Sequence, residues 1–191
     1  MHDSVYCYPE TDILINKLNI HDDSILQEAE RELTSRRLVQ LAEHPINGRF
    51  DFSHLKRIHR FIFQDVYAWA GQERTVDIAK TNMFCNVKFI DTQAEEIFGR
   101  LKQEKLLKGL EREAFIERVS YFFGEINALH PFREGNGRTQ REFIRELAIR
   151  AGYDIDYSTI SEQEMILASI DSFACNYDRL RELFEKAVKR Y

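Results

Sequence analysis

Three cysteines and three prolines are all that 191 residues contain of those types. Each scarcity excludes something. Cys7, Cys85 and Cys175 stand far apart, odd in number and without CxxC spacing. That argues against a disulfide framework and against a structural zinc site. With only Pro9, Pro45 and Pro131 to interrupt it, most of the chain is open to helix. No apolar run approaches the length that spans a bilayer. Met1-His2-Asp3-Ser4-Val5-Tyr6 lacks the basic-then-apolar pattern of a leader. A net charge of -5 gives no overall basic footprint for nucleic acid. The expectation is a cytoplasmic protein with no membrane span and no direct nucleic-acid binding. Delivery by a route that needs no cleaved signal stays open.

At 43% hydrophobic and 31% charged, the chain has the composition of a globular protein and the length of a single domain, residues 1–191. Helical periodicity dominates. Asp22-Asp23-Ser24 offers caps, with Gln27 placed for a capping box, before a helix that should stop by His44-Pro45. Ser53 is the expected cap of a second helix that buries Leu55, Ile58, Ile62, Val66 and Trp69 and ends at Gly71. Alternation in Thr75–Ile78 and Val87–Ile90, about the polar Lys80-Thr81-Asn82, predicts a β-hairpin. Asp91 or Thr92 should cap a third helix. A long apolar helix follows through Phe115, Phe122, Phe123 and Leu129, then another from about Gly137 to Arg150. Two more close the chain, over about 161–175 and 178–189. The predicted fold class is all-α, a helical bundle with one hairpin.

Chemistry concentrates in His130-Pro131-Phe132-Arg133-Glu134-Gly135-Asn136-Gly137-Arg138-Thr139-Gln140-Arg141. Glycines at a helix start let backbone N–H groups approach an anion, and the helix dipole favours it. Arg138 and Arg141, three apart, share a face and can reach one polyphosphate. Glu134 beside bound phosphates calls for a bridging cation, and Mg²⁺ accepts one or two carboxylates plus phosphate oxygens. Histidine's unperturbed pKa of about 6.5 suits His130 to take a proton near neutral pH. Together these residues point to phosphoryl or nucleotidyl transfer. They do not decide which phosphorus is attacked.

The run resembles the signature of the Fic family, His-Pro-Phe-x-(Asp/Glu)-Gly-Asn-Gly-Arg-x-x-Arg, at every fixed position. Leu55-Lys56-x-Ile58-His59, Asp65-Val66-Tyr67-x-Trp69-Ala70-Gly71 and Thr75-Val76-Asp77-Ile78 are similar to the family's preceding helix and hairpin flap, so the likeness is strongest over residues 50–150. It implies the Fic fold and an adenylyltransferase that moves AMP from ATP to a Tyr, Thr or Ser hydroxyl of a target protein, releasing pyrophosphate. In that reading His130 is the general base, and Glu134 holds Mg²⁺. Gly135, Asn136 and Gly137 form the anion hole, Arg138 holds the β/γ-phosphates, and Arg141 holds the γ-phosphate. Phe132 anchors the loop. Lys80 and Thr81 border the nucleotide, and Asn82, Met83 and Phe84 dock the target backbone as an added strand. His54 and His59 read as core or surface residues, Trp69 as packing, and Cys85 as strand filler.

Many Fic proteins carry an inhibitory Ser/Thr-x-x-x-Glu-(Gly/Asn) helix whose Glu pairs with the second arginine of the motif, here Arg141. Ser24…Glu28 is followed by Ala29 and Ser158…Glu162 by Gln163, so neither completes it. The resemblance is therefore to stand-alone toxins restrained by a separate antitoxin-like partner. Gyrase-type topoisomerases or GTPases are the implied targets. The alternatives are a Doc-like kinase, disfavoured because Gly137 and Arg141 are both present, and a catalytically silent binding module, disfavoured because His130, Glu134 and both arginines are intact.

Overall fold

The computed structural model describes residues 5–79 and 83–190. Among these residues there are seven α-helices: α1 (Asp23–Glu43), α2 (Phe52–Phe63), α3 (Ile90–Gln103), α4 (Arg112–Leu129), α5 (Asn136–Ala151), α6 (Glu162–Ser172) and α7 (Asp178–Ala187). Two short strands, β1 (Tyr153–Ile155) and β2 (Val188–Arg190), pair antiparallel with Tyr153 opposite Arg190. The all-helical prediction holds, and the pairing of the α5 exit with the chain's last residues adds a clasp it did not include.

α4 runs through the middle, packed against α3, α5, α6 and α7. Its faces bury Phe115, Ile116, Val119, Phe122, Phe123, Ile126 and Leu129. Each large apolar side chain removed from water contributes about 1.5–3 kcal/mol, so this helix anchors the fold. On the far side α2 packs on both α5 and α1. Phe50, Phe98 and Phe143 meet edge to face there, at centroid distances of 5.6 Å for both Phe50–Phe143 and Phe98–Phe143.

Several local predictions are corrected. Asp22 alone caps α1, accepting from Ile25 N–H, while Gln27 bonds Asp23 instead of closing a box. Asp51, not Ser53, caps α2. α2 ends at Phe63 rather than Gly71, and Lys17, in the segment before α1, takes carbonyls that a longer helix would use: it donates from Nζ to Gln64 O and from its main chain to Val66 O, each at 2.8 Å. α3 starts at Ile90 with no side-chain cap.

Among the described residues the hairpin shows an antiparallel bridge, Ala79 to Met83, and a bond from Phe84 N–H to Ile78 O. Val87–Phe89, expected as its second strand, is a turn of 3₁₀ helix. Asn86 caps that turn, and Asp77 accepts from both Asn86 Nδ2 and Val87 N–H. Lys80, Thr81 and Asn82 lie outside the described residues.

α6 begins with a complete capping box, Ser161 with Glu164. It and α7 are each shorter than predicted, and the last residues of the chain go into β2 instead. Among the described residues no helix is long and apolar enough to cross a membrane.

Candidate active site

The loop from His130 to Gly135 joins α4 to α5 and is braced from three directions. Asn136, at the first position of α5, turns its side chain back: its oxygen accepts from Phe132 N–H at 2.9 Å and its Nδ2 donates to Phe132 O at 2.7 Å. Phe132 is buried and stacks on His59 at 3.8 Å, which fits the predicted anchor. His59 itself accepts from Gly71 N–H at Nδ1 (2.8 Å). That fixes the proton on Nε2, which donates to Glu134 O at 3.0 Å. Burial pulls the His59 imidazole down to about 3, the bond to Glu134 opposing and the charge of Arg138 assisting. His59 is thus a neutral brace under the loop, not a passive packing residue. Its partner lies 75 positions away, and no local pattern announces it.

Gly135 caps α5 at φ +82, and a Cβ there would sit 2.1 Å from the Phe63 ring. Both the left-handed backbone and the close approach require glycine. The first intrahelical bond, Thr139 N–H to Gly135 O at 3.1 Å, leaves the amides of Asn136, Gly137 and Arg138 at the open, positive end of the helix. Gly135 N–H is held by its neighbour Glu134 Oε1 at 2.8 Å.

His130 closes α4 in the left-handed region, φ 45 and ψ 58. Its Nδ1 lies 3.3 Å from Asn127 O, and its ring stacks on Phe84 at 3.6 Å. A carbonyl partner assigns the proton to Nδ1 and leaves Nε2 as the basic nitrogen. Phe84 is buried, turned inward onto His130 and toward Phe173, whereas Met83 is exposed at the rim. Burial pushes the Cys85 thiol up, so it is no activated nucleophile.

The two arginines differ. Arg138 is held: one terminal nitrogen donates to Glu30 at 2.5 Å and the other to Thr34 Oγ1 at 3.1 Å. Glu134 lies 3.6 Å from it, and its guanidinium covers the Phe63 ring. Tyr67 donates its hydroxyl to the other oxygen of Glu30. Arg141, among the described residues, makes no hydrogen bond or ion pair. Burial lowers its pKa, and the nearest charge effects come from Tyr157, Arg138 and Glu162. The Tyr157 hydroxyl is likewise buried and unpartnered. Glu28, weighed as an internal inhibitor, is exposed; the acid that α1 sends inward is Glu30, and it goes to Arg138.

His130, Glu134, Gly135, Gly137, Arg138 and Arg141 all line one cavity of about 630 Å³, whose far wall is Tyr157 and the first turns of α6. A cavity of that size, with an open helix N-terminus, two guanidiniums and an imidazole, matches a nucleoside triphosphate in volume and charge.

Residues 49–148 match the Fic/DOC family. The chain belongs to that family. It is 43% identical over 187 residues to the protein adenylyltransferase VbhT of Bartonella schoenbuchensis, covering 97% of this chain and 39% of that much longer protein. It is 41% identical to the probable protein adenylyltransferase y4lH of Sinorhizobium fredii, over 88% of this chain and 87% of the relative. Among solved structures it superimposes on the BepC effector protein of Bartonella tribocorum, determined with bound AMPPNP, with a TM-score of 0.93 at 28% identity, covering 97% of both chains. The predicted Fic fold agrees with these matches.

Proposed function

We propose that this chain is a protein adenylyltransferase, a nucleotidyltransferase that moves AMP from ATP to a hydroxyl of another protein. The observation that carries the reading is the convergence of His130, the open α5 N-terminus, Arg138 and Arg141 on one cavity. The protein adenylyltransferases to which the chain is 43% and 41% identical and the AMPPNP-bound neighbour support it.

His130 Nε2 takes the proton of a Tyr, Thr or Ser hydroxyl. The new bond forms between that oxygen and the α-phosphorus, the bond to the β-phosphate oxygen breaks, and pyrophosphate leaves. The Gly135, Asn136 and Gly137 backbone stabilises charge on the α-phosphate oxygens, as preorganised N–H donors do. Arg138 and Arg141 hold the β- and γ-phosphates. Glu134 is the residue that would hold Mg²⁺. Its carboxylate lines the cavity and is 42% exposed, which fits an ion that wants one carboxylate plus phosphate oxygens and waters. Bound there, the ion neutralises charge on the phosphates. The flap around Met83 docks the target backbone, and the protein acts in the cytoplasm. A separate small inhibitor that supplies a Glu to Arg141 restrains it. The lack of an internal carboxylate on Arg141 among the described residues favours that reading.

The test is mass spectrometry of proteins from a bacterial extract after incubation with the chain and Mg-ATP. An AMP adduct on a hydroxyl residue, absent with His130→Ala, is expected. Adducts that persist in the His130→Ala protein would remove His130 from the mechanism.

A further inference from the structure

One buried charge takes no part in the phosphate site. Arg74 lies just beyond the turn that follows α2, and its side chain is sealed from solvent. A guanidinium carries five donors and no acceptor, and it is costly to bury unless those donors are met. Here each of the three nitrogens donates to a main-chain oxygen, and the oxygens come from three segments. Nε donates to His130 O at 2.8 Å, one terminal nitrogen to Val76 O at 2.9 Å, and the other to Cys85 O. The Arg74 main-chain N–H adds a bond to Pro131 O at 2.9 Å. Asp77, half exposed, stands 3.7 Å from the nitrogen that serves Val76. The same carboxylate ties the two flap arms through Asn86 and Val87.

These contacts converge on His130. Its left-handed backbone costs about 1–2 kcal/mol for a residue with a side chain, so it persists only where neighbours hold it. Ile126 O holds its N–H at 3.2 Å and Arg74 holds its carbonyl. The imidazole packs on Phe84, the residue before Cys85, whose carbonyl the same guanidinium holds.

We infer that Arg74 is a positioning residue for AMP transfer: it fixes the spacing between the flap and the His130 imidazole by bonding main-chain oxygens of both. The inference rests on the reading of the site as an adenylyltransferase. Lysine cannot replace it, because an ammonium is a point of donors and not a planar fork that spans three carbonyls. The phosphate contacts come from other residues, so nucleotide binding is separable from transfer.

Arg74→Lys and Arg74→Ala would be compared with the wild-type chain by thermal melting, by calorimetric binding of Mg-ATP, and by the initial rate of α-labelled AMP incorporation into proteins of a bacterial extract. The expected Arg74→Lys protein melts cooperatively and binds Mg-ATP within about twofold of wild type. It transfers roughly tenfold to a hundredfold more slowly, the loss that a misplacement of about 1 Å produces. Millimolar guanidinium partly restores Arg74→Ala and leaves His130→Ala inactive. A folded Arg74→Lys protein with the wild-type rate overturns the inference. So does a rate that falls only in parallel with nucleotide affinity, or loss of cooperative melting in both variants, which would make Arg74 a purely structural residue. A wild-type chain that incorporates no α-label overturns the adenylyltransferase reading itself.

Discussion

Glu30 of α1 binds Arg138 of α5 across 108 positions of sequence, carboxylate to guanidinium at 2.5 Å, with Tyr67 donating to its second oxygen. Both side chains are largely buried. The pair holds the arginine over Phe63 with its charge toward the phosphate cavity. Removing one partner of such a pair leaves an uncompensated charge, which costs about 3–5 kcal/mol when fully buried.

Glu30→Gln keeps the shape and loses the charge. It is expected to destabilise by about 1–3 kcal/mol, less than the fully buried limit because Arg138 keeps some solvent. It is also expected to weaken Mg-ATP binding several-fold, because the guanidinium is no longer aimed. Denaturant melts and calorimetry check both. Tighter nucleotide binding in the variant would instead make Glu30 a restraint on Arg138.

The brace under the loop predicts a pH dependence. His59 is held near a pKa of about 3 when folded and returns to about 6.5 in the unfolded chain. Between those values the unfolded chain binds the extra proton. The contribution is therefore complete above about pH 6.5 and is lost as pH falls toward 3, with a slope of up to ~1.4 kcal/mol per pH unit. His59→Gln should lower stability at pH 7 yet show a shallower loss between pH 6 and 4. Parallel curves for the two proteins would contradict this role.

Gly135 has no tolerance for a methyl group. Gly135→Ala meets a left-handed backbone penalty of about 1–2 kcal/mol and an overpacking penalty of about 1–3 kcal/mol against Phe63. The melting temperature should fall by roughly 5–15 °C for a chain of this length. The double variant with Phe63→Leu should recover part of the loss. No recovery would show that the clash with Phe63 is not what makes glycine necessary.

How much of this could be read from sequence divides by range. The run from His130 to Arg141 is local: helix end, glycine-capped helix start and i, i+3 arginines need only their own spacing, and the structure brings them to one cavity. His59, Glu30 and Arg74 were not legible as site residues because their partners lie 75, 108 and 56 positions away. An isolated histidine on an apolar helix face, or an arginine in a polar turn, looks like packing or a solvated charge. The second arm of the hairpin departs from a strand for a related reason. Val87–Ile90 has strand alternation, but Asn86 and Asp77 spend their side chains on capping the 3₁₀ turn there, and α3 begins at Ile90. Helix α2 is shorter than its apolar pattern because Lys17, far away in sequence, takes the carbonyls at its exit.

Arg141, half-buried on the cavity wall, and the buried Tyr157 hydroxyl have no acceptor among the described residues, which suits a phosphate that arrives with the nucleotide. Arg141→Ala should weaken binding of ATP by roughly tenfold to a hundredfold, the loss expected for a hydrogen bond to a charged group. ADP, which lacks the γ-phosphate, should lose little. Calorimetric titration with both nucleotides decides it, and equal losses would place Arg141 elsewhere on the ligand.

The central claim is that the α-phosphorus is the one attacked. The most direct measurement incubates the chain, Mg²⁺ and a bacterial extract with ATP labelled at either the α- or the γ-phosphorus and follows protein-bound label. Incorporation from the α position only is expected, reduced about a hundredfold or more in His130→Ala, as loss of a general base implies. Incorporation from the γ position would contradict it and make the protein a kinase.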